Sequence, residues 1–204
     1  MHPNPSFRKV ADDVTLGFVR TRAFGVLAVN AEAGPLLSHV PFLLSEDGGA
    51  AGLHLVRSNP IARCDGVPAV IAVSGPDGYV SPDWYGHDDQ VPTWNYVAAH
   101  VRGRLERLGD HLMRDMLDRQ SACYEERLLP KRPWTVGKMS SEALDRLMRS
   151  ILPFRLHVER IDATWKLNQN KPEAARRGAA DAMAGSAIGQ ETEVLARLMR
   201  SPPG

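Results

Sequence analysis

Hydrophobic and polar positions change period several times along the chain. Residues 12–22, DDVTLGFVRTR, place Val14 and Phe18 at i, i+4 spacing. That predicts a short helix capped by Asp12 or Asp13. FGVLAVN then predicts a buried strand, LLSHVPFLLS a second and AGLHLVRS a third. NAEAGP and EDGGA separate them as turns, so the three strands are expected to form an antiparallel meander. NPIARCDGVP starts like a helix: Asn59 suits an N-cap, and Pro60 suits the first helical position, where no N–H is needed. Gly66 and Pro68 keep that helix short. AVIAVSG predicts a fourth strand, GPDG a tight turn after it, and YVSPDWYGHDDQ a loop.

The fifth strand is expected from about Val91 to Leu105 and contains VPTWNYVAAHVRG. Val97, Ala99 and Val101 share one parity and make an ordinary core face. Trp94, Tyr96, His100 and Arg102 share the other, a poor choice for facing plain water. GDHLMRDMLDRQSACYEERL has helical apolar spacing, KRPWTVGKM reads as a linker, and SSEALDRLMRSIL is a second helix with a serine cap and Glu142 near its positive end. LPFRLHVERIDATWKLNQN predicts a long final strand. The tail beyond it is helical in composition, split by Gly185 and Gly189, with loose last residues expected. About six antiparallel strands, with helices after the third and fifth and at the end, predict an α+β fold built on a small β-barrel rather than a βαβ sheet. Residues 1–170 read as one domain with inserted helices and 171–204 as a helical tail.

Composition narrows the function classes. The chain has 204 residues, 43% hydrophobic and 24% charged, enough for one good core. A formal net charge of +1 gives no global field toward DNA or a membrane, although a local patch is compatible with it. The two cysteines, Cys64 and Cys123, fit buried free thiols in a reducing compartment better than a disulfide framework. No apolar run approaches membrane-spanning length, and the first residues, MHPNPSFRKVADD, lack the apolar core of a signal peptide, so a cytoplasmic protein is expected.

Four stretches carry candidate chemistry. Arg57, Ser58 and Asn59 precede a predicted helix start, where free N–H groups and a guanidinium favour a phosphate; a capped helix beside a solvated arginine is the alternative. His39 lies mid-strand among apolar residues, either buried against a backbone partner or touching a flat ligand. Trp94, Asn95 and Tyr96 suit a planar ligand or an aromatic dimer interface. WKLNQNK offers donors from Lys166, Asn168, Gln169, Asn170 and Lys171 for a phosphate or the polar edge of a ring, or is simply a polar strand exit. His87, Asp88 and Asp89 are adjacent, and consecutive side chains converge poorly on one ion, so no metal site is expected. No GxSxG, Walker or dinucleotide motif is present.

HLVRSNPIAR, GPDGYVSPDWY, VPTWNYVAAHVRG, PWTV and WKLNQNK, in this order, resemble the PaiB family, over roughly residues 1–185. The resemblance implies an antiparallel FMN-binding split β-barrel with peripheral and C-terminal helices, working as a homodimer with FMN at the subunit interface, and a link to negative transcriptional regulation. It makes Arg57, Ser58 and Asn59 phosphate-side candidates, and His39, Trp94 and Tyr96 candidates for the ring or its surroundings. Lys166 and Gln169 become candidates for the ring's polar edge, contributed from the other subunit. A flavin-dependent redox protein is the expected activity. Fold does not fix function, however. A haem-binding or haem-degrading split barrel, or a regulator with a vestigial flavin site, stands as the alternative.

Overall fold

The period-two stretches become strands in the computed structural model, which describes residues 1–203. Helix α1 (Asp12–Arg22) comes first, with Asp13 Oδ1 accepting the Val14 N–H at 2.9 Å. Strands β1 (Phe24–Val29), β2 (Leu36–Leu44) and β3 (Ala50–Val56) form the expected antiparallel meander. Long strands β4 (Val67–Val80) and β5 (Thr93–Arg107) follow. Helices α2 (Met113–Glu126) and α3 (Ser141–Met148) are inserted before β6 (Ile151–Lys166), and Ser140 caps α3 as expected, its Oγ accepting from Ala143 N. Helix α4 (Glu173–Ala184), the two-residue strand β7 (Gly189–Gln190) and helix α5 (Thr192–Arg200) complete the described chain. The strand order is β1-β2-β3-β6-β5-β4-β7. A second pairing of β1, from Val26↔Ala72 to Val29↔Ala69 of β4, closes six strands into an antiparallel barrel.

The chain divides into two units. The barrel unit, residues 23–72 and 101–161, holds the closed barrel and the inserted helices. Leu27, Phe42, Leu53, Phe154 and Leu156 fill its core with no exposed surface. Each such side chain contributes roughly 1.5–3 kcal/mol. The helical unit, residues 1–22, 73–100 and 162–204, contains α1, α4, α5 and the remaining lengths of β4, β5 and β6. On β5 the alternation holds: Val97, Ala99 and Val101 are buried, while Trp94 is 43% exposed and Tyr96, His100 and Arg102 are half-buried. Among the described residues, no helix is long and apolar enough to cross a membrane.

Four expectations are corrected. The GPDG stretch is not a turn; β4 runs straight through it to Val80. Gly75 is there for packing, since a Cβ would lie 2.9 Å from both Phe18 Cε2 and the Val97 carbonyl oxygen. Pro76 lies between the β4 segments paired to β1 and to β7, where a missing N–H is tolerated. The expected helix after Asn59 is a single 3-10 turn, Pro60–Arg63. His39 is exposed rather than buried, because residues 36–41 of β2 pair with β1 alone and β3 joins only from Phe42 onward. The tail is packed rather than loose: Leu195, Ala196 and Met199 of α5 are fully buried with Ala179, Ala180 and Met183 of α4.

Candidate functional site

The barrel unit presents a polar corner where β3 runs into the turn Pro60–Arg63. Asn59 has extended backbone angles, as an N-cap requires, and its Oδ1 accepts the Ile61 N–H at 2.9 Å. Its Nδ2 donates to Ser38 Oγ on β2 at 3.0 Å, so the carboxamide clamps turn to sheet. Arg57 is held as firmly. Its Nε donates to the Arg149 carbonyl at 2.6 Å and its Nη2 to Asp110 Oδ2 at 2.6 Å. Arg107 reaches the other oxygen of the same carboxylate at 3.3 Å. Arg57, and then Arg107, hold the Asp110 carboxyl below the usual carboxylate range against the opposing effect of burial. Two guanidiniums therefore share one carboxylate, and the cluster keeps a net positive charge.

Two further donors at this corner have no partner among the described residues: the Ser58 hydroxyl and the Arg63 guanidinium, both exposed. With the remaining N–H groups of Arg57, they form a cationic, donor-rich set whose chemistry fits a phosphate. Asn59 does not join it, because both ends of its carboxamide are engaged. A single 3-10 turn also supplies little dipole, so side chains rather than a helix end would carry the anion. On the β1–β2 hairpin of this unit, His39 stacks on Phe24 with ring centres 6.3 Å apart and planes 29° apart. Phe24 is 54% exposed and Leu37 62%.

The helical unit holds the other sequence candidates. Trp94 Nε1 donates to Asp77 Oδ1 at 2.9 Å, and the ring meets Tyr79 edge-on. Tyr96 is half-buried on the same face of β5. Lys166 donates to Thr93 Oγ1, and burial lowers its ammonium pKa. Gln169 is occupied within its own loop: Nε2 donates to the Trp165 carbonyl at 2.5 Å, and Oε1 accepts from Leu167 N at 2.8 Å. It shapes the turn that puts Asn168 at φ +63°, a conformation asparagine tolerates well. Asn168 is 2% exposed; its Oδ1 accepts from Tyr85 OH at 3.4 Å and its Nδ2 has no partner. Lys171 bonds Gln90 and lies 4.9 Å over the Tyr85 ring. Asn95 is wholly buried with neither end of its carboxamide partnered.

Sequence reading missed Ser38, Arg63 and Asp110. The RSNPIAR spacing was a signal for Arg63. Ser38 and Asp110 lie 21 and 53 residues from their partners, and no local pattern announces them. His87, Asp88 and Asp89 line a polar cavity of about 430 Å³, and among the described residues no group of three or more His, Cys, Asp or Glu side chains is arranged to hold a metal ion.

The family described as "Putative FMN-binding domain" matches residues 1–160. The chain belongs to this family. Within it, the chain is similar to the Protease synthase and sporulation protein PAI 2 of Bacillus subtilis, 30% identical over 176 residues, covering 83% of each chain. The PaiB resemblance carried by the sequence motifs is thereby established. Two solved structures share the split-barrel fold. The FAD and haem binding protein of Mycobacterium smegmatis has a TM-score of 0.58 at 16% identity, covering 90% of this chain and 82% of that one. The flavocytochrome Anf3 of Azotobacter vinelandii has a TM-score of 0.60 at 11% identity, covering 93% and 81%. At these identities the likeness is one of fold.

Proposed function

We propose that this FMN-binding-domain protein binds FMN as a homodimer, with the flavin phosphate held at the polar corner of the barrel unit. The observation that carries this reading is the donor set at that corner. Ser58 and Arg63 are uncommitted, Arg57 is braced by Asp110 and the Arg149 carbonyl, and the Asp110 carboxylate is shared between Arg57 and Arg107. Bracing matters because a fixed guanidinium loses little further side-chain freedom when it receives a phosphate. The exposed His39–Phe24 stack offers an aromatic surface for the ring or its surroundings. Lys166, contributed from the other subunit, stands as a donor for the ring's polar edge, and Gln169 acts by shaping the loop that follows it. FMN would supply one- and two-electron transfer, and the protein would supply orientation and electrostatic tuning.

Comparing FMN with riboflavin tests the corner directly, because the two differ only in the phosphate. Wild-type protein is expected to prefer FMN. Arg63→Ala and Ser58→Ala are expected to weaken FMN while leaving riboflavin nearly unchanged. The loss at Arg63 is expected at about 10- to 100-fold, the range of one charge-assisted hydrogen bond. Equal weakening of both ligands would remove the phosphate from this corner.

A further inference from the structure

The insertion between β5 and β6 leaves a partly open apolar cavity of about 250 Å³ in the barrel unit. Its walls are Leu117 of α2, Trp134 and Met139 of the linker, and Leu144, Leu147 and Met148 of α3. A neighbouring cavity of about 510 Å³ shares Asp118, Ser121, Trp134 and Val136 with it. The indole of Trp134 thus borders both spaces. Its backbone is anchored: Glu125 Oε2 accepts the Trp134 backbone N–H at 2.8 Å and also binds Lys131.

The condition of α3 says what this cavity is for. The helix has eight residues and none of them is buried. A helix of that length is marginal alone and takes its stability from packing an apolar face. Here the apolar face borders empty space, and Leu147 remains 52% exposed. Two methionines in the wall add flexible, polarisable surface that adapts to different shapes.

The polar groups define the ligand's chemistry. Arg114 and Asp118 pair at 2.7 Å and neutralise each other. Ser150 donates its hydroxyl to the Leu147 carbonyl at 2.7 Å. The Ser121 hydroxyl and the Trp134 indole N–H are the side-chain hydrogen-bonding groups left over among the described lining residues. We propose that the cavity is a second binding site, separate from the flavin corner, for a neutral, mainly apolar ring compound with one or two hydrogen-bonding groups. Its occupation completes the packing of α3.

N-Phenyl-1-naphthylamine, a neutral fluorescent two-ring amine, serves as the probe with the full chain. Saturable binding with blue-shifted emission is expected, together with slower hydrogen exchange at the amides of residues 141–148. Leu147→Asp puts a carboxylate at the exposed mouth without disturbing the barrel core. Ser121→Trp fills the space instead. Each is expected to weaken the probe at least tenfold while FMN affinity and thermal stability stay at wild-type values. Non-saturable binding, binding unaffected by both variants, or binding without protection of α3 would each overturn the proposal. Loss of FMN binding alone would overturn the flavin reading and leave this one standing.

Discussion

Asn59 joins a turn to a strand 21 residues away, donating to Ser38 Oγ at 3.0 Å while its own Oδ1 caps the Ile61 N–H at 2.9 Å. The two bonds separate by mutation. Asn59→Asp keeps the acceptor and loses the donor. Asn59→Ala loses both. An N-cap is worth about 1 kcal/mol and a neutral hydrogen bond a similar amount. Urea midpoints are therefore expected to fall in the order wild type, Asp, Ala, with Asn59→Ala about 1–2 kcal/mol down. FMN affinity is expected to fall further in Asn59→Asp than in Asn59→Ala, because a carboxylate beside the donor set repels phosphate. An alanine variant as stable as wild type would show that the clamp holds nothing.

Gly103 of β5 tests the barrel wall. A Cβ at this position would lie 1.8 Å from the carbonyl oxygen of His157 on β6. Backbone cannot swing aside as a side-chain tip can, so the strands must separate. Overpacking of this kind costs typically 1–3 kcal/mol, and a backbone clash belongs at or above the top of that range. Gly103→Ala is expected to lose about 3 kcal/mol or fail to accumulate as folded protein. Ala98→Gly, on the half-buried face of the same strand, should lose about 1 kcal/mol or less. Equal stability of the two variants would contradict the tight approach.

Legibility in the sequence follows the range of each interaction. The helix of residues 12–22, the first three strands and the parity of β5 rest on local periodicity and short glycine turns, and the structure repeats them almost residue for residue. GPDG misled because proline and glycine usually mark turns. Here the glycine makes room for Phe18 and the proline uses a gap in strand pairing, and both are tertiary facts. His39 misled because an apolar strand reads as buried, whereas β2 outruns its pairing with β3. Within the candidate site, Asn59 and Pro60 were readable as a cap. The Asp110 that braces Arg57 lies in another segment of the sequence, and only the fold pairs them.

His54 makes stability depend on pH. It sits on β3 half-buried, with Nδ1 partnerless, and burial lowers its pKa from the ordinary 6.5, partly opposed by a hydrogen bond with Gln120 of α2. The unfolded chain then binds a proton at higher pH than the folded one. Below about 6.5 the unfolded state takes up more protons, so stability is complete above that value and declines as pH falls through it toward the folded pKa. Wild-type urea midpoints are expected to drop between pH 7.5 and pH 5.5. His54→Gln, which cannot titrate, should show a smaller drop over the same interval. Parallel losses in both proteins would assign the acid sensitivity to other groups.

The exposed face of the β1–β2 hairpin predicts self-association. Phe24 at 54% and Leu37 at 62% exposure flank the accessible imidazole of His39, and Val56 at the end of β3 is 50% exposed. Large apolar side chains grouped this way on a folded surface usually belong to an interface. In a two-fold dimer the same patch appears on both subunits, so one substitution acts twice. Leu37→Glu would bring two carboxylates toward an apolar contact, where unpaired charge costs several kcal/mol. Sedimentation velocity is expected to show a wild-type dimer and at least about tenfold weaker association in Leu37→Glu. The circular dichroism spectrum should not change, because Leu37 contributes little to the core of its own chain. FMN affinity should fall with the dimer if the interface completes the site, whereas a flavin bound equally well by the monomeric variant would place the whole site within one chain. A wild-type protein that sediments as a monomer across the accessible concentration range would remove the homodimer from the proposed function.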